Sequence, residues 1–311
     1  MIRNIVLASV LGILIPAGNM SARENAYSGT ITLSGSWAIY PAAVAWAEAF
    51  QKKYPGVKVD VGAGGAGKGA ADAIAGLADI GMVSREPDPA EISRGIVPVC
   101  ILQDAVYPVV SDRNPVLPEL LEKGISKKIW AGLYAAGTVR TWDAVVNRKV
   151  NKPVHIYTRS DSCGAASSWA AYLGIKQEDL KGVGVYGDPG LLEAAKRDPA
   201  GIGYANFSYV FTREGALIKG AKLVPIDSNE NGIADPDEVY ADRKSAVRAL
   251  RAGRYPAARK NYFFIKAGPT ALVKEFIRFA LSAEGTKIVD ETGASLPLKK
   301  SEREIILRTV K

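Results

Sequence analysis

The chain has 311 residues, 48% apolar and 23% charged, too apolar for a disordered segment and too mixed for a protein of many membrane spans. Its length suits about two domains with a sizeable core. Forty lysines and arginines against 32 acids give a net charge of +8, which brings a nucleic-acid partner into consideration. Two cysteines and one histidine exclude a disulfide scaffold and leave little room for a multi-histidine zinc site.

Met1-Ile2-Arg3-Asn4 carries one positive charge, residues 5–17 are almost wholly apolar, and Ser21-Ala22 are small. This is the pattern of a secretory signal peptide over residues 1–22, the alternative being an N-terminal anchor helix. Cleavage after Ala22 would place the mature chain outside the cytoplasm, where ATP and NAD are scarce. The mature chain then predicts a strand over 31–33, a helix over 41–53 with Pro41 in its first turn, and a strand over 57–61. A glycine run over 62–69 leads to a short helix over 70–77 and a strand over 80–83. Residues 96–110 hold two apolar strand-like pieces around Gln103-Asp104. Helices follow near 119–123, 126–135 and 141–147, then a strand over 154–157 and a helix over 165–173. A strand over 262–265 and a long helix over 270–281 come near the end. Strands alternating with helices argue for an α/β architecture with mainly parallel sheets. No repeat or low-complexity linker is seen, so two domains would share the chain without a flexible tether.

Three times a strand runs through a glycine-bearing turn into a helix: at 34–37, at 62–69 and at 162–165. Each such turn leaves backbone N–H groups and the positive end of a helix where an oxyanion could sit. Arg159 stands just before the third. The middle turn, Gly62-Ala63-Gly64-Gly65-Ala66-Gly67, also satisfies the dinucleotide pattern G-x-G-x-x-G, with Glu86 about 20 positions on. Followed by Lys68 it nearly makes a P-loop, but Gly69 stands where a magnesium-binding hydroxyl belongs. A nucleotide site also conflicts with export.

In order along the chain come Gly35-Ser36-Trp37-Ala38-Ile39-Tyr40-Pro41, the run 64–69, Ala78-Asp79-Ile80-Gly81-Met82-Val83-Ser84-Arg85-Glu86 and Arg159-Ser160-Asp161-Ser162-Cys163-Gly164. Trp130-Ala131-Gly132, Thr141-Trp142-Asp143 and the stretch 293–298 accompany them. This set resembles the phosphate-binding proteins of ABC importers across essentially the whole mature chain. The resemblance implies a type II periplasmic binding protein, with two α/β lobes joined by two crossing strands and a ligand cleft between them. Lobe one would take 27–105 and 256–311, and lobe two 106–255. It implies backbone donors at Ser36, Trp37 and Ala38, and further contacts at Ala66 and Gly67. Arg159 would supply a charged fork oriented by Asp161, and Cys163, Gly164 and Ala165 would complete the shell. Where the family often has hydroxyls, this chain has Trp37 or Ala38, Ala66, Cys163 and Ala165. Ser84-Arg85 stands where some members carry a carboxylate that accepts a hydrogen bond from protonated phosphate. Sulfate, tungstate and molybdate therefore stay open beside phosphate. The implied partners are inorganic phosphate or a similar oxyanion, an ABC permease and its ATPase. The protein would be a monomer with no nucleic-acid partner and no enzymatic activity.

Residues 227–238 match an EF-hand calcium loop, with Asp227, Asn229, Asn231 and Asp235 at ligand positions, Ile233 at the backbone-carbonyl position, Gly232 at the turn and Glu238 at position 12. The preceding residues look extended, and a helix is expected over 238–251. The pattern points to structural Ca²⁺, the alternative being an acidic turn that binds nothing. His155 and Cys163 offer a second class of function, a thiol-dependent enzyme, since a helix start lowers a thiol pKa. A Cys100–Cys163 disulfide cannot be deduced from spacing. The five tryptophans are expected in the core. The basic clusters at 243–244 and 248–259 read as solvated helix faces.

Overall fold

The computed structural model describes residues 27–310; the leader assigned to 1–22 lies outside the described residues. The first third alternates strand and helix: β1 (Gly29–Gly35), α1 (Tyr40–Lys53), β2 (Val57–Ala63), α2 (Ala66–Ala75), β3 (Ile80–Val83) and α3 (Pro89–Ser93). Strand β4 (Ile96–Ser111) leads to α4 (Leu117–Lys123), β5 (Ile125–Ser126), α5 (Lys127–Ala131) and α6 (Trp142–Val146). The middle continues with β6 (His155–Arg159), α7 (Gly164–Leu173), β7 (Val183–Val185), α8 (Gly187–Arg197), β8 (Gly201–Asn206) and α9 (Phe207–Val210). Then come β9 (Ala221–Leu223), β10 (Ile226–Asp227), α10 (Arg243–Arg251) and β11 (Ala258–Lys266). The chain closes with α11 (Ala271–Leu281), α12 (Ala283–Thr292), β12 (Leu296–Pro297) and α13 (Lys300–Thr309).

The strand order is β2-β1-β3-β11-β4-β8-β6-β7. β1 pairs in parallel with β2 and β3, while β11 runs antiparallel to β3 and to β4. Up to Ala105, β4 lies beside β11; from Val106 it pairs with β8 instead. Its side chains feed two separate cores. Val99, Ile101 and Leu102 join Trp46, Phe50, Phe263 and Phe276, and Ala105, Val106 and Tyr107 join Trp130, Trp142, Trp169 and Tyr204. Removing a side chain such as Phe50 or Phe276 from water contributes about 2 kcal/mol. The chain thus makes two α/β halves, and β4 and the segment entering β11 run between them.

Several expectations are corrected by the packing. Residues 96–110 form one strand, not two pieces, because Asp104 is buried and stands opposite Arg259 on β11. The charge that suggested a break is neutralised within the sheet. Helix α2 begins at Ala66 rather than at 70, so its glycines are helical. The reason is close approach: a Cβ on Gly69 would lie 2.5 Å from the Met82 carbonyl oxygen and 2.8 Å from that of Ser34. Helix α10 begins at Arg243, not 238, since Asp242 caps it by accepting from the Ser245 N–H at 2.7 Å. Four of the tryptophans are buried as expected, but Trp37 is only partly buried, at the junction of the halves. β8 escaped notice because Gly201–Asn206 is buried at every position and shows no alternation.

Replacing Gly69 by Ala should lower stability by about 1–3 kcal/mol in urea unfolding, although alanine favours a helix by about 1 kcal/mol. An unchanged midpoint would contradict the close packing of α2 on β1 and β3.

Candidate anion-binding site

The C-terminal ends of β1, β2, β3 and β6 deliver four turns to one place, where open α/β sheets bind ligands. The turns are stitched by their backbones. The N–H groups of Gly64 and Gly65 donate to the Gly35 carbonyl at 2.8 and 2.9 Å, and that of Ser36 donates to Met82 at 2.8 Å. Across the cleft, the Gly67 N–H donates to the Ser162 carbonyl at 3.0 Å. A Cβ on Gly65 would lie 2.6 Å from the Ser162 oxygen, and one on Gly164 would run into the Ser84 carbonyl and hydroxyl. Glycine at these positions lets the two halves meet main chain to main chain.

Arg159 ends β6 with its side chain wholly shielded from solvent. Its Nε donates to Asp161 Oδ1 at 2.7 Å and its Nη2 to Asp161 Oδ2 at 2.5 Å, while Nη1 donates to Asp188 Oδ2. These bonds use three of the five guanidinium N–H groups and leave two. Burial works against the charge, but Asp188 and Asp161 hold the guanidinium protonated above its ordinary range. Asp188 is itself buried, and its Oδ1 accepts from the Asn206 N–H at 3.3 Å. Asp188 is a site residue that no motif in the sequence singles out. Its only local signal is an acid in the first turn of a helix directly after a strand.

The other expected residues divide. Gly164 and Ala165 open α7, and their N–H groups are among those a helix cannot use itself. Ala66 holds the same place in α2. Ser36 Oγ lies 2.7 Å from Ser84 Oγ and donates to it, which leaves the Ser84 hydroxyl proton free to point at a ligand. Of the expected backbone donors, the Ser36 N–H is taken by the Met82 carbonyl, that of Ala38 by Ser36 Oγ at 3.2 Å and that of Gly67 by the Ser162 carbonyl, so none of these three is open. Trp37 spans the cleft: its ring meets Tyr186 edge-on at 6.1 Å and its carbonyl accepts from the Tyr209 hydroxyl at 3.1 Å. Arg85 is turned aside, its Nη2 and Nη1 bonded to Glu91 at 2.5 and 2.9 Å. Glu86 accepts from the Tyr262 hydroxyl at 2.8 Å.

Cys163 caps α7, accepting from the Ala166 N–H at 3.4 Å, and burial pushes its thiol pKa up to about 12. Its suggested base, His155, lies at the opposite end of β6, bonded through Nδ1 to Asp198 at 2.6 Å. The nucleophile and its base are therefore not brought together. Cys100 and Cys163 are both free thiols.

In the loop 227–238, Asp227 Oδ1 and Oδ2 accept from the N–H groups of Asn231 and Gly232 at 3.1 and 3.0 Å. Asn231 Oδ1 accepts from the Ile233 N–H at 2.8 Å. The amides of Asn229 and Asn231 donate to Asp235 Oδ2 at 2.8 and 3.0 Å. Glu238 reaches back to accept from the Ser228 N–H at 2.7 Å. Asn229, Asn231 and Asp235 are thus drawn together, but among the described residues no three acidic, histidine or cysteine side chains are grouped to hold a metal ion, and turns, not a helix, follow the loop.

Native Cys163 should resist iodoacetamide at pH 8 and react once the protein is unfolded. Rapid, selective labelling of the folded chain would restore the thiol-enzyme reading.

Residues 21–284 match the PBP superfamily domain. Protein SphX of Synechococcus elongatus is 27% identical over 305 residues, covering 94% of this chain and 84% of the relative. The phosphate-binding protein PstS of Bacillus subtilis is 26% identical over 271 residues, covering 87% of this chain and 81% of its own length. A Clostridium perfringens protein solved with bound phosphate superposes with a TM-score of 0.71 at 24% identity, over 87% of this chain and 100% of that one. An ABC-type phosphate transport receptor from Vibrio cholerae gives 0.64 at 20% identity, over 86% and 100%. The two α/β halves, the crossing strands and this match over most of the chain lead to one conclusion: the chain belongs to the PBP superfamily.

Proposed function

We propose that the protein captures inorganic phosphate between its two halves and delivers it to an ABC-type permease driven by its ATPase. It would work as a monomeric receptor outside the cytoplasm once the leader is removed. The observation that carries this reading is Arg159: a dry guanidinium, fixed by Asp161 and Asp188, with two N–H groups to spare beside the start of α7. A fixed fork and helix N-terminal N–H groups suit a tetrahedral anion. The Ser84 hydroxyl can donate a hydrogen bond to the ligand or accept one from a protonated oxygen of it, which suits an anion that keeps a proton near neutral pH. The relatives named as phosphate-binding proteins favour phosphate over sulfate, tungstate or molybdate.

We further propose that the loop 227–238 holds Ca²⁺ through Asp227, Asn229, Asn231, Asp235 and Glu238 and the Ile233 carbonyl. Hard Ca²⁺ takes such oxygen sets. Asp227 and Glu238 are buried, and their field, with that of Glu230, adds to burial in raising the Tyr172 phenol. A bound cation would offset that field.

Calorimetric titration of dialysed protein with phosphate, sulfate, molybdate and tungstate should show phosphate bound in preference. No binding to any of them would overturn the oxyanion reading, and preference for another would overturn phosphate alone. Arg159→Lys keeps a cation but loses the fork, and should weaken binding at least about tenfold. For the loop, EDTA should lower the melting temperature by several degrees, added Ca²⁺ should restore it, and Glu238→Gln should abolish the response. A melting temperature indifferent to EDTA would count against calcium.

A further inference from the structure

Arg159 is not the only buried arginine near the cleft. Arg259, the second residue of β11, has a side chain only 5% exposed, and it faces Asp104, which is not exposed at all. Its Nη2 donates to Asp104 Oδ2 at 2.7 Å and also to Asn206 Oδ1, and its Nη1 donates to Ser168 Oγ at 3.3 Å. The Asn206 N–H donates in turn to Asp188 Oδ1 at 3.3 Å, and Asp188 holds Arg159. One continuous chain, Asp104–Arg259–Asn206–Asp188–Arg159–Asp161, therefore runs from the crossing strands to the anion site.

The charges along it do not balance. Three carboxylates and two guanidiniums, each less than a tenth exposed, sum to one net negative charge when all are ionised. That is a poor place for an anion, and without Arg259 it would carry two. Asp188 feels both guanidiniums: burial pushes its carboxyl up, and Arg159 and then Arg259 pull it back. Asp104 is likewise raised by burial and drawn down by Arg259, with Asp188 adding a repulsion. Arg259 thus opposes the protonation that burial favours at Asp188, the carboxylate to which Arg159 Nη1 donates.

We propose that Arg259 is a positioning residue of the anion site, a remote cation on the second crossing strand that, through Asn206 and Asp188, keeps Arg159 aimed and offsets the carboxylates the ligand would otherwise meet. Arg259 and Asp104 form a direct cross-strand pair, and β4 changes partner from β11 to β8 immediately after Ala105. The link from Arg259 to Asn206, at the end of β8, crosses that point. The anion site is thereby tied to the strands that run between the halves. This inference rests on the phosphate reading for its ligand, but not for its internal chemistry.

The test is a pair of charge removals of opposite sign, read on the full mature chain. Arg259→Met should weaken phosphate binding about tenfold or more, whereas Asp104→Asn, which removes a negative charge, should hold or strengthen it. The double variant restores the original net charge and should recover most of the affinity, and it keeps the test open if Arg259→Met alone fails to fold. Without ligand, the Asp188 carboxyl followed by ¹³C NMR should titrate at higher pH in Arg259→Met and at lower pH in Asp104→Asn. Weakening of similar size in both single variants would mean a packing role and overturn the proposal. So would an Asp188 titration that neither variant moves. Should the unaltered protein bind no phosphate, the phosphate reading falls by itself and the Asp188 titration decides this one.

Discussion

A guanidinium removed from water has to be neutralised where it stands, and this constraint organises the middle of the molecule. Arg159 sits at the end of β6 with no solvent exposure, and two carboxylates from separate segments converge on it. Removing Arg159 would leave two carboxylates buried without their cation, a loss of about 3–5 kcal/mol. The cost of holding Arg159 dry is offset by its three bonds to Asp161 and Asp188, which leave two N–H groups for a ligand. The site is a prearranged donor set, more than a reservoir of positive charge. The chain's overall excess of basic residues supplies at most a mild attractive field.

That arrangement needs the two halves in contact, and glycine makes the contact feasible. Gly65 and Gly164 lie against backbone of the opposite half and Gly67 against the Ser162 side chain, so a side chain at any of the three would press the turns apart. Within the first half, Gly35, Gly69 and Gly81 let α2 settle on β1 and β3, which fixes the second turn relative to the first. The anion donors therefore depend on two tiers of close approach, one inside a half and one between halves. Trp37 adds a contact of a different kind, an aromatic edge laid against Tyr186 from across the cleft.

Much of this was legible in the residues. The strand and helix alternation, the glycine turns and Arg159 with Asp161 two positions on all announce themselves locally. What escaped depended on partners far apart in sequence. Asp188 meets Arg159 across 29 positions, and Arg259 meets Asp104 across 155. No local pattern marks such pairs, and Asp104 even looked like a break in a strand because its partner was invisible. Arg85 misled in the opposite sense. Its motif position suggested the site, but Glu91, six residues on at the start of α3, captures it. β8 went unseen because a strand buried on both faces has no period to detect.

A crystal structure of the protein with phosphate would test the central claim most directly. If the fork of Arg159 and the start of α7 hold the anion, phosphate oxygens will lie within about 3 Å of Arg159 Nη1 and Nη2 and of the Gly164 and Ala165 backbone nitrogens. Arg159 would keep its bonds to Asp161 and Asp188. Phosphate bound elsewhere, on Arg85 for example, with the Arg159 fork unused, would contradict it.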